Sequence, residues 1–277
     1  MLSGEDLSGE DLRDRNLVEA DMSKTVLIRA NLGRKNLSGA NFTQADMREC
    51  ILEGCDLSGS VFAESNLTGA FINKSKGHQI KFVHARGDAL EFSEAEIKGG
   101  ALTGRFHGGR LSLGSFTRVD MRGVDLKRAD ISAGLWIECD MTGADLGGAS
   151  AVNTDFFGTN LSGVNFKGAD IRGADLFFCK TWGADFDEAN LTGVKFDTAC
   201  GEIPWGWRHG DDGLERDDQS VLSAGRDLGL DGDVTSTLLE DHPDMVPSRA
   251  LRVAQSIARC TNSTGLEVIS GVLSEVV

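Results

Sequence analysis

The side chains in this chain best suited to nucleophilic, acid–base or metal chemistry are five histidines and six cysteines. The histidines stand at His78, His84, His107, His209 and His242, and none falls in the paired spacing of a zinc site, so each reads as an ordinary surface residue. His78 and His84 lie closest together. The segment from Asp227 through Asp231 and Asp233 to Val234 has the look of a calcium loop, but Gly229 and Leu238 hold its third and twelfth positions, where oxygen ligands are required. No phosphate-cradling glycine loop, nucleophile elbow or HExxH segment occurs. The expectation is a protein with no catalytic residues, no cofactor and no metal.

Charge narrows the partners. The chain carries 43 Asp and Glu against 28 Lys and Arg, a formal net charge of -15, which should repel nucleic acid and anionic membrane. Its 40% hydrophobic content is enough for a packed core, yet no stretch approaches the roughly 20 apolar residues of a membrane span. The opening Met1-Leu2-Ser3-Gly4-Glu5-Asp6-Leu7 lacks the basic and apolar regions of a signal peptide, so the chain reads as cytoplasmic with free thiols.

The elements that position these groups follow from a period of five. Counting from Leu2, every fifth residue is large and apolar, through Leu7, Leu12, Leu17 and Met22 without exception to Ile72. A second run, one residue out of phase, goes from Phe106 to Phe196 with only Ala151 and Thr181 as exceptions. Two positions before each of these centres the residue is usually small, as at Ala20, Ala30, Ala40, Ala144 and Ala169, and the one between is usually Asp or Asn. Five residues turn a helix by about 500°, which scatters the centres around its axis, and an odd step sends alternate residues of a straight strand to opposite faces. Both side chains face one interior only if the chain turns a corner in each repeat and its backbone pairs with the coil above and below. Cys50, Cys55, Cys139 and Cys179 occupy the small inward position, where burial raises a thiol's pKa and argues against reactivity.

Stretches such as Ala40-Asn41-Phe42-Thr43-Gln44, Ala144-Asp145-Leu146-Gly147-Gly148, Ala169-Asp170-Ile171-Arg172-Gly173 and Ala189-Asn190-Leu191-Thr192-Gly193 resemble the A(D/N)LXX motif of the pentapeptide repeat family over roughly residues 2–199. The resemblance implies an all-β solenoid, a right-handed quadrilateral β-helix with twenty residues per coil and about ten coils. Steps of twenty place Phe42, Phe62 and Phe82 in one column and Phe116, Trp136, Phe156, Leu176 and Phe196 in another.

The departures divide the chain. Residues 1–203 form the β-helix. Within it, residues 1–19 make a solvent-facing cap because Glu5, Glu10 and Arg15 replace small inward residues. Lys35 breaks the rule one coil later, for no reason visible in the sequence. Over residues 74–105 the centres become Gly77, Phe82 and Gly87, and the step from Leu102 to Phe106 is four, so a loop or bulge and a register shift are expected there. Trp205 and Trp207 are expected to plug the open end. Residues 204–277 read as a small, mainly α-helical tail, with loops and short helices to about residue 244 and helices near 248–260 and 264–277. Leu266, Ile269, Leu273 and Val276 give the last helix an apolar stripe for docking.

One outward column is apolar. The residue after each centre points outward and is normally Ser, Thr, Arg or Lys, but Ile137, Phe157 and Phe177 stack there, with Leu135 and Phe178 on the same face and Trp182 round the corner. Either the C-terminal helices cover this stripe, or it meets a partner protein or a second copy in a homodimer. Ile51 and Phe71 form a smaller pair, expected to pack under the interrupted segment. The function read from these features is a non-enzymatic scaffold for protein interaction. The alternative that the resemblance implies is an acidic mimic of duplex DNA that binds gyrase or another type II topoisomerase and protects it from quinolones. Residues 1–200 hold 29 acidic and 22 basic groups and residues 201–277 hold 14 and 6, so the excess charge lies largely in the tail, which weakens that alternative.

Overall fold

In the computed structural model the described residues are 2–196, 207–210, 213–227, 236, 239, 240 and 247. The chain divides into two compact units, Met1–Glu202 and Ile203–Val277. In the first, parallel bridges recur at a separation of twenty, from Asp6↔Val26 to Asp175↔Lys195, so the unit is a β-solenoid whose coils close after four repeats. Each repeat disposes of its backbone groups in one way. The N–H of a centre donates to the carbonyl nineteen residues on, as from Leu7 to Val26, and the N–H of the following small residue closes a turn, as from Ala30 to Leu27. The N–H of the residue before a centre donates back, as from Val26 to Glu5. Buried backbone is thereby paired without long strands.

Four strands lie in one parallel sheet, in the order β1 (Lys76–Arg86), β2 (Glu96–Arg105), β3 (Ser115–Thr117) and β4 (Leu135–Ile137). Where a loop or bulge is expected, strands β1 and β2 continue the solenoid wall, and the irregularity is a bulge-like break in their pairing. The register shift is present: Lys76 pairs with Glu96, twenty residues on, but Arg86 pairs with Arg105, nineteen on, the change falling between Phe82 and Ala85. Gly100 and Gly104 make the shortened coil possible. Their φ angles are 90° and 133°, and a Cβ on them would lie 2.1 Å from the Ile80 carbonyl oxygen and 2.2 Å from that of Ala85.

The interior is continuous where the period suggested holes. Gly77 and Gly87 are filled by neighbours: a Cβ on Gly77 would meet Ile80 Cδ1 at 2.7 Å, and one on Gly87 would meet Phe106 Cδ1 at 2.7 Å. The converse holds at Gly114 and Gly134, small inward residues that yield space to the Phe116 ring and the Trp136 indole. The expected columns are present, with ring centroids 4.9 Å apart for Phe42–Phe62, 4.7 Å for Phe62–Phe82 and 4.4 Å for Phe116–Trp136. Trp136 is fully buried, and its indole N–H has no acceptor among the described residues.

In the first coil Glu5, Glu10 and Arg15 are exposed. Lys35 also finds its reason. Its Nζ donates at 2.8 Å to the Arg13 carbonyl, a group of the kind that elsewhere accepts from a backbone amide of the coil before.

The second unit begins differently from the loops expected. Strands β5 (Trp207–Gly210) and β6 (Gly213–Arg216) form an antiparallel hairpin, followed by helix α1 (Asp218–Asp227). Asp217 caps that helix, accepting from the Ser220 N–H at 3.3 Å and its hydroxyl at 2.5 Å. Trp207 is buried, while Trp205 and the expected helices near 248–260 and 264–277, with Leu266, Ile269, Leu273 and Val276, lie outside the described residues.

Space-filling across coils has a measurable consequence. Gly87→Leu alone should destabilise the protein by about 1–3 kcal/mol through overpacking against Phe106, and Phe106→Leu alone should cost about 1 kcal/mol or more through the cavity left. The double substitution should recover stability relative to their sum, a coupling that denaturant titration of the four proteins reads directly. Additive costs would show that the two positions do not share a space.

Candidate protein-contact face

The outward surface is built on corners pinned by Asp and Asn. Where Asp or Asn stands at a corner, its carboxylate or amide oxygen commonly accepts the N–H two residues on, as from Ser8 to Asp6 at 3.0 Å, Thr43 to Asn41 at 3.1 Å and Thr142 to Asp140 at 3.1 Å. The side chain of that second residue usually adds a bond. Ser8 Oγ reaches Asp6 at 2.6 Å and Thr142 Oγ1 reaches Asp140 at 2.5 Å. Arginine forms ion pairs at the same place, Arg13–Asp11, Arg48–Asp46, Arg122–Asp120 and Arg172–Asp170, each at 2.7 Å. Others run between coils, as in Arg29–Glu49 at 2.7 Å and Arg118–Glu138 at 2.6 Å. Much of the surface carboxylate is thus engaged by the fold.

These contacts depress the carboxylate pKa values. The Arg13 guanidinium holds Asp11 at about 2, Arg122 and Arg172 lower Asp120 and Asp170, and the hydroxyls of Ser8, Ser23 and Ser58 lower Asp6, Asp21 and Asp56.

The apolar stripe interrupts this pattern. Leu135 bridges Asp155 and Asp155 bridges Asp175, which brings Ile137, Phe157 and Phe177 onto successive rungs. Phe157 and Phe177 are 42% and 39% exposed, Leu135 is exposed and Ile137 half-buried. Phe178 adds a second layer. It sits at a corner with φ 60°, a position held by glycine in some repeats and by residues such as Leu113, Glu138, Asn153 and Glu188 in others, and its ring meets that of Phe157 edge-on at 5.2 Å. Phe178 is 66% exposed. Trp182, 67% exposed, lies on the adjoining side. Ile51 and Phe71 are also exposed, because the segment expected to cover them is strand within the solenoid wall.

The other chemically capable residues are dispersed. His78 and His84 lie exposed on β1, His107 is half-buried and His209 lies on β5, while His242 and residues 228–234 of the calcium-like segment are outside the described residues. Among the described residues no three His, Cys, Asp or Glu side chains are grouped to hold a metal ion. Cys50, Cys55, Cys139 and Cys179 are buried, and their thiols donate to the carbonyls of Ala30, Leu32, Phe116 and Phe156. Burial pushes Cys55 and Cys139 up to about 11 and raises Cys50 as well. Sequence reasoning located Phe178 on the face but missed the edge-on contact of its ring with Phe157, which depends on side-chain direction.

Inward ladders at every fifth residue, corners pinned by Asp or Asn and closure after twenty residues define a β-solenoid of five-residue repeats. The family model for pentapeptide repeats matches residues 6–44, 40–76, 139–176 and 172–200, and the chain belongs to the pentapeptide repeat family. The stretch between the second and third matches holds β2, β3, β4 and nearly all of β1, where glycine centres and the short coil distort the motif. Among solved structures the chain is similar to HetL, a pentapeptide repeat protein involved in heterocyst differentiation regulation from the cyanobacterium Nostoc sp. strain PCC 7120. The identity is 24% over 68% of this chain and 86% of that one, with a TM-score of 0.48. It is also similar to trypsin-treated QnrB1, a plasmid-mediated fluoroquinolone resistance protein, at 19% identity over 70% of this chain and 90% of that one, with a TM-score of 0.45. A sequence search of curated proteins gives no match.

Two outcomes follow. Because the folded pKa values of Asp6, Asp11, Asp21, Asp56, Asp120 and Asp170 lie below the ordinary 3.8, the unfolded chain takes up protons first as pH falls. Their stabilisation is whole above about pH 5 and is lost through the range toward pH 2, so Tm followed by circular dichroism should stay level at neutral pH and drop below about pH 4. A Tm that rises on acidification would contradict this. Iodoacetamide at pH 8 should leave Cys50, Cys55, Cys139 and Cys179 unmodified in the native protein and alkylate them after denaturation, as mapped by peptide mass spectrometry.

Proposed function

We propose that this protein is a non-enzymatic, cytoplasmic scaffold for protein interaction. About ten coils over residues 1–203 carry the contact stripe Leu135, Ile137, Phe157, Phe177, Phe178 and Trp182. The observation that supports this reading is the exposure of aromatic side chains on adjacent rungs. Exposed apolar patches of several hundred Å² mark interaction sites more often than solvated surface.

Mimicry of duplex DNA toward a topoisomerase is the weaker reading. A phosphate mimic needs unopposed charge along one face, whereas the ion pairs of Asp11, Asp46, Asp120 and Asp170 with arginine oppose it.

Phe157→Asp/Phe177→Asp tests the reading. Asp187 already occupies the equivalent corner of another repeat, so the variant should fold, with Tm within a few degrees of the parent. A protein that co-purifies with the parent should be lost from the variant and retained by Ser38→Asp, a substitution lower in the same column. A loss of stability well beyond about 2 kcal/mol on Phe157→Asp/Phe177→Asp would mean that the face is packed within the chain, and the scaffold reading of this stripe would fail.

A further inference from the structure

Two carboxylates beside the stripe differ from most others on the solenoid, though Asp145 and Asp185, followed by Gly147 and Asp187, also receive only a backbone N–H from the residue two positions on. At Asp6, Asp11, Asp56, Asp120, Asp140 and Asp170 the residue two positions on supplies a hydroxyl or guanidinium to the carboxylate. At Asp155 and Asp175 that position holds Phe157 and Phe177, which supply only their backbone N–H, at 2.8 and 2.9 Å. Each bond is made to Oδ1. At Asp175 Oδ2 has Lys195 Nζ at 3.9 Å, a contact exposed to solvent, and among the described residues Asp155 forms no ion pair. The replacement of a polar partner by phenylalanine therefore does two things at once. It builds an aromatic ladder, and it leaves beside that ladder two carboxylates, Asp155 and Asp175, without a side-chain partner two residues on.

We propose that the occupant of this face is a basic amphipathic helix of a partner protein. Its apolar side would lie on Ile137, Phe157, Phe177 and Phe178, and its lysines or arginines would reach Asp155 and Asp175. The proposal rests on the contact-face reading above and names its partner's chemistry. Geometry agrees with it. Asp155 and Asp175 are bridge partners on adjacent coils, separated by roughly 4.8 Å. Cations three or four residues apart on a helix are spaced by about 4.5–6 Å along its axis. A second copy of the chain is the poorer occupant. Two copies each carry -15, and packing the stripes with Phe157 opposite Phe157 and the rungs antiparallel would bring Asp155 against Asp155.

The test uses the full chain and two synthetic amphipathic helical peptides with the same leucine face, one with lysines and one with glutamates on its polar side, titrated by fluorescence anisotropy. The lysine peptide should bind and the glutamate peptide should not. Asp155→Asn/Asp175→Asn should weaken binding about tenfold or more without loss of Tm, because Asn41 and Asn160 make the same corner bond elsewhere. Phe157→Asp/Phe177→Asp should abolish binding although it makes the protein more acidic. Stronger binding to that variant would show mere attraction to the net charge and overturn the proposal. Equal binding of both peptides, lost on Phe157→Asp/Phe177→Asp, would overturn the basic partner while leaving the contact face intact. A dimer seen by light scattering that the same variant dissociates would also overturn it, by making a second copy the occupant. If neither peptide binds the parent, the proposal fails.

Discussion

A solenoid whose coils close every twenty residues must enclose the same cross-section at every rung, and much else in this structure follows from that constraint. Where a centre shrinks to glycine, a neighbour advances into the space: Ile80 beside Gly77 and Phe106 above Gly87. Where a centre grows to Phe116 or Trp136, the inward residue two positions before it becomes Gly114 or Gly134. The unit conserved along the core is therefore a volume shared by a centre, its small partner and the coil above. Empty volume would cost dispersion contacts on every side of the hole, and excess volume would force the walls apart, so pairs of departures are compatible with the fold where single ones are not. The missing residue after Leu102 is absorbed in the same manner, with Gly100 and Gly104 allowing backbones to approach closer than any side chain permits.

The same closure explains where the acidity goes. Every corner exposes an N–H that an Asp or Asn oxygen can accept, which sets a carboxylate or amide at a fixed place on each rung. Stacked rungs would then line up like charges about one sheet spacing apart. The chain relieves this by alternating Asp with Asn, by placing arginine two residues on and by pairing charges between coils, as in Arg29–Glu49 and Arg118–Glu138. An exposed ion pair of this type contributes little to stability by itself. Its consequence is electrostatic: most of the solenoid presents balanced charge, and the faces that lack balance stand out.

Much of this is legible in the amino-acid sequence. The period of five, the small partner, the Asp or Asn corner and the column of Ile137, Phe157 and Phe177 follow from counting, because a solenoid converts sequence separation into distance with few exceptions. Counting fails where it assumes that each centre fills only its own coil. On that assumption Gly77 and Gly87 mean holes, a loop has to interrupt the wall, and Ile51 and Phe71 have to be covered. Ile80 carries the correcting signal, a large residue at a position meant for alanine, three residues after a glycine at a position meant for leucine. Lys35 is opaque for another reason. Its partner is a carbonyl twenty-two residues away, and backbone demand leaves no trace in side-chain identity. The hairpin of β5 and β6 escapes because Trp207–Gly210 and Gly213–Arg216 are too short and too polar for an alternating pattern to register.

Inside and outside are under different constraints, which gives the outward stripe its meaning. Interior positions are determined by volume and corner positions by hydrogen bonding, so an unusual residue in either place has a structural cause close at hand. The outward position after a centre meets neither demand, and Ser, Thr, Arg, Lys, Gly and Asp all serve there. Phenylalanine at Phe157 and Phe177 adds nothing the fold requires and leaves Asp155 and Asp175 without a side-chain partner two residues on, while Phe178 exposes a third ring beside them. Three departures on two adjacent rungs, each unfavourable or neutral for the solenoid alone, share one beneficial outcome. They create a surface on which apolar area and carboxylate lie side by side, a combination that neither the packing of the interior nor the hydrogen bonding of the corners requires.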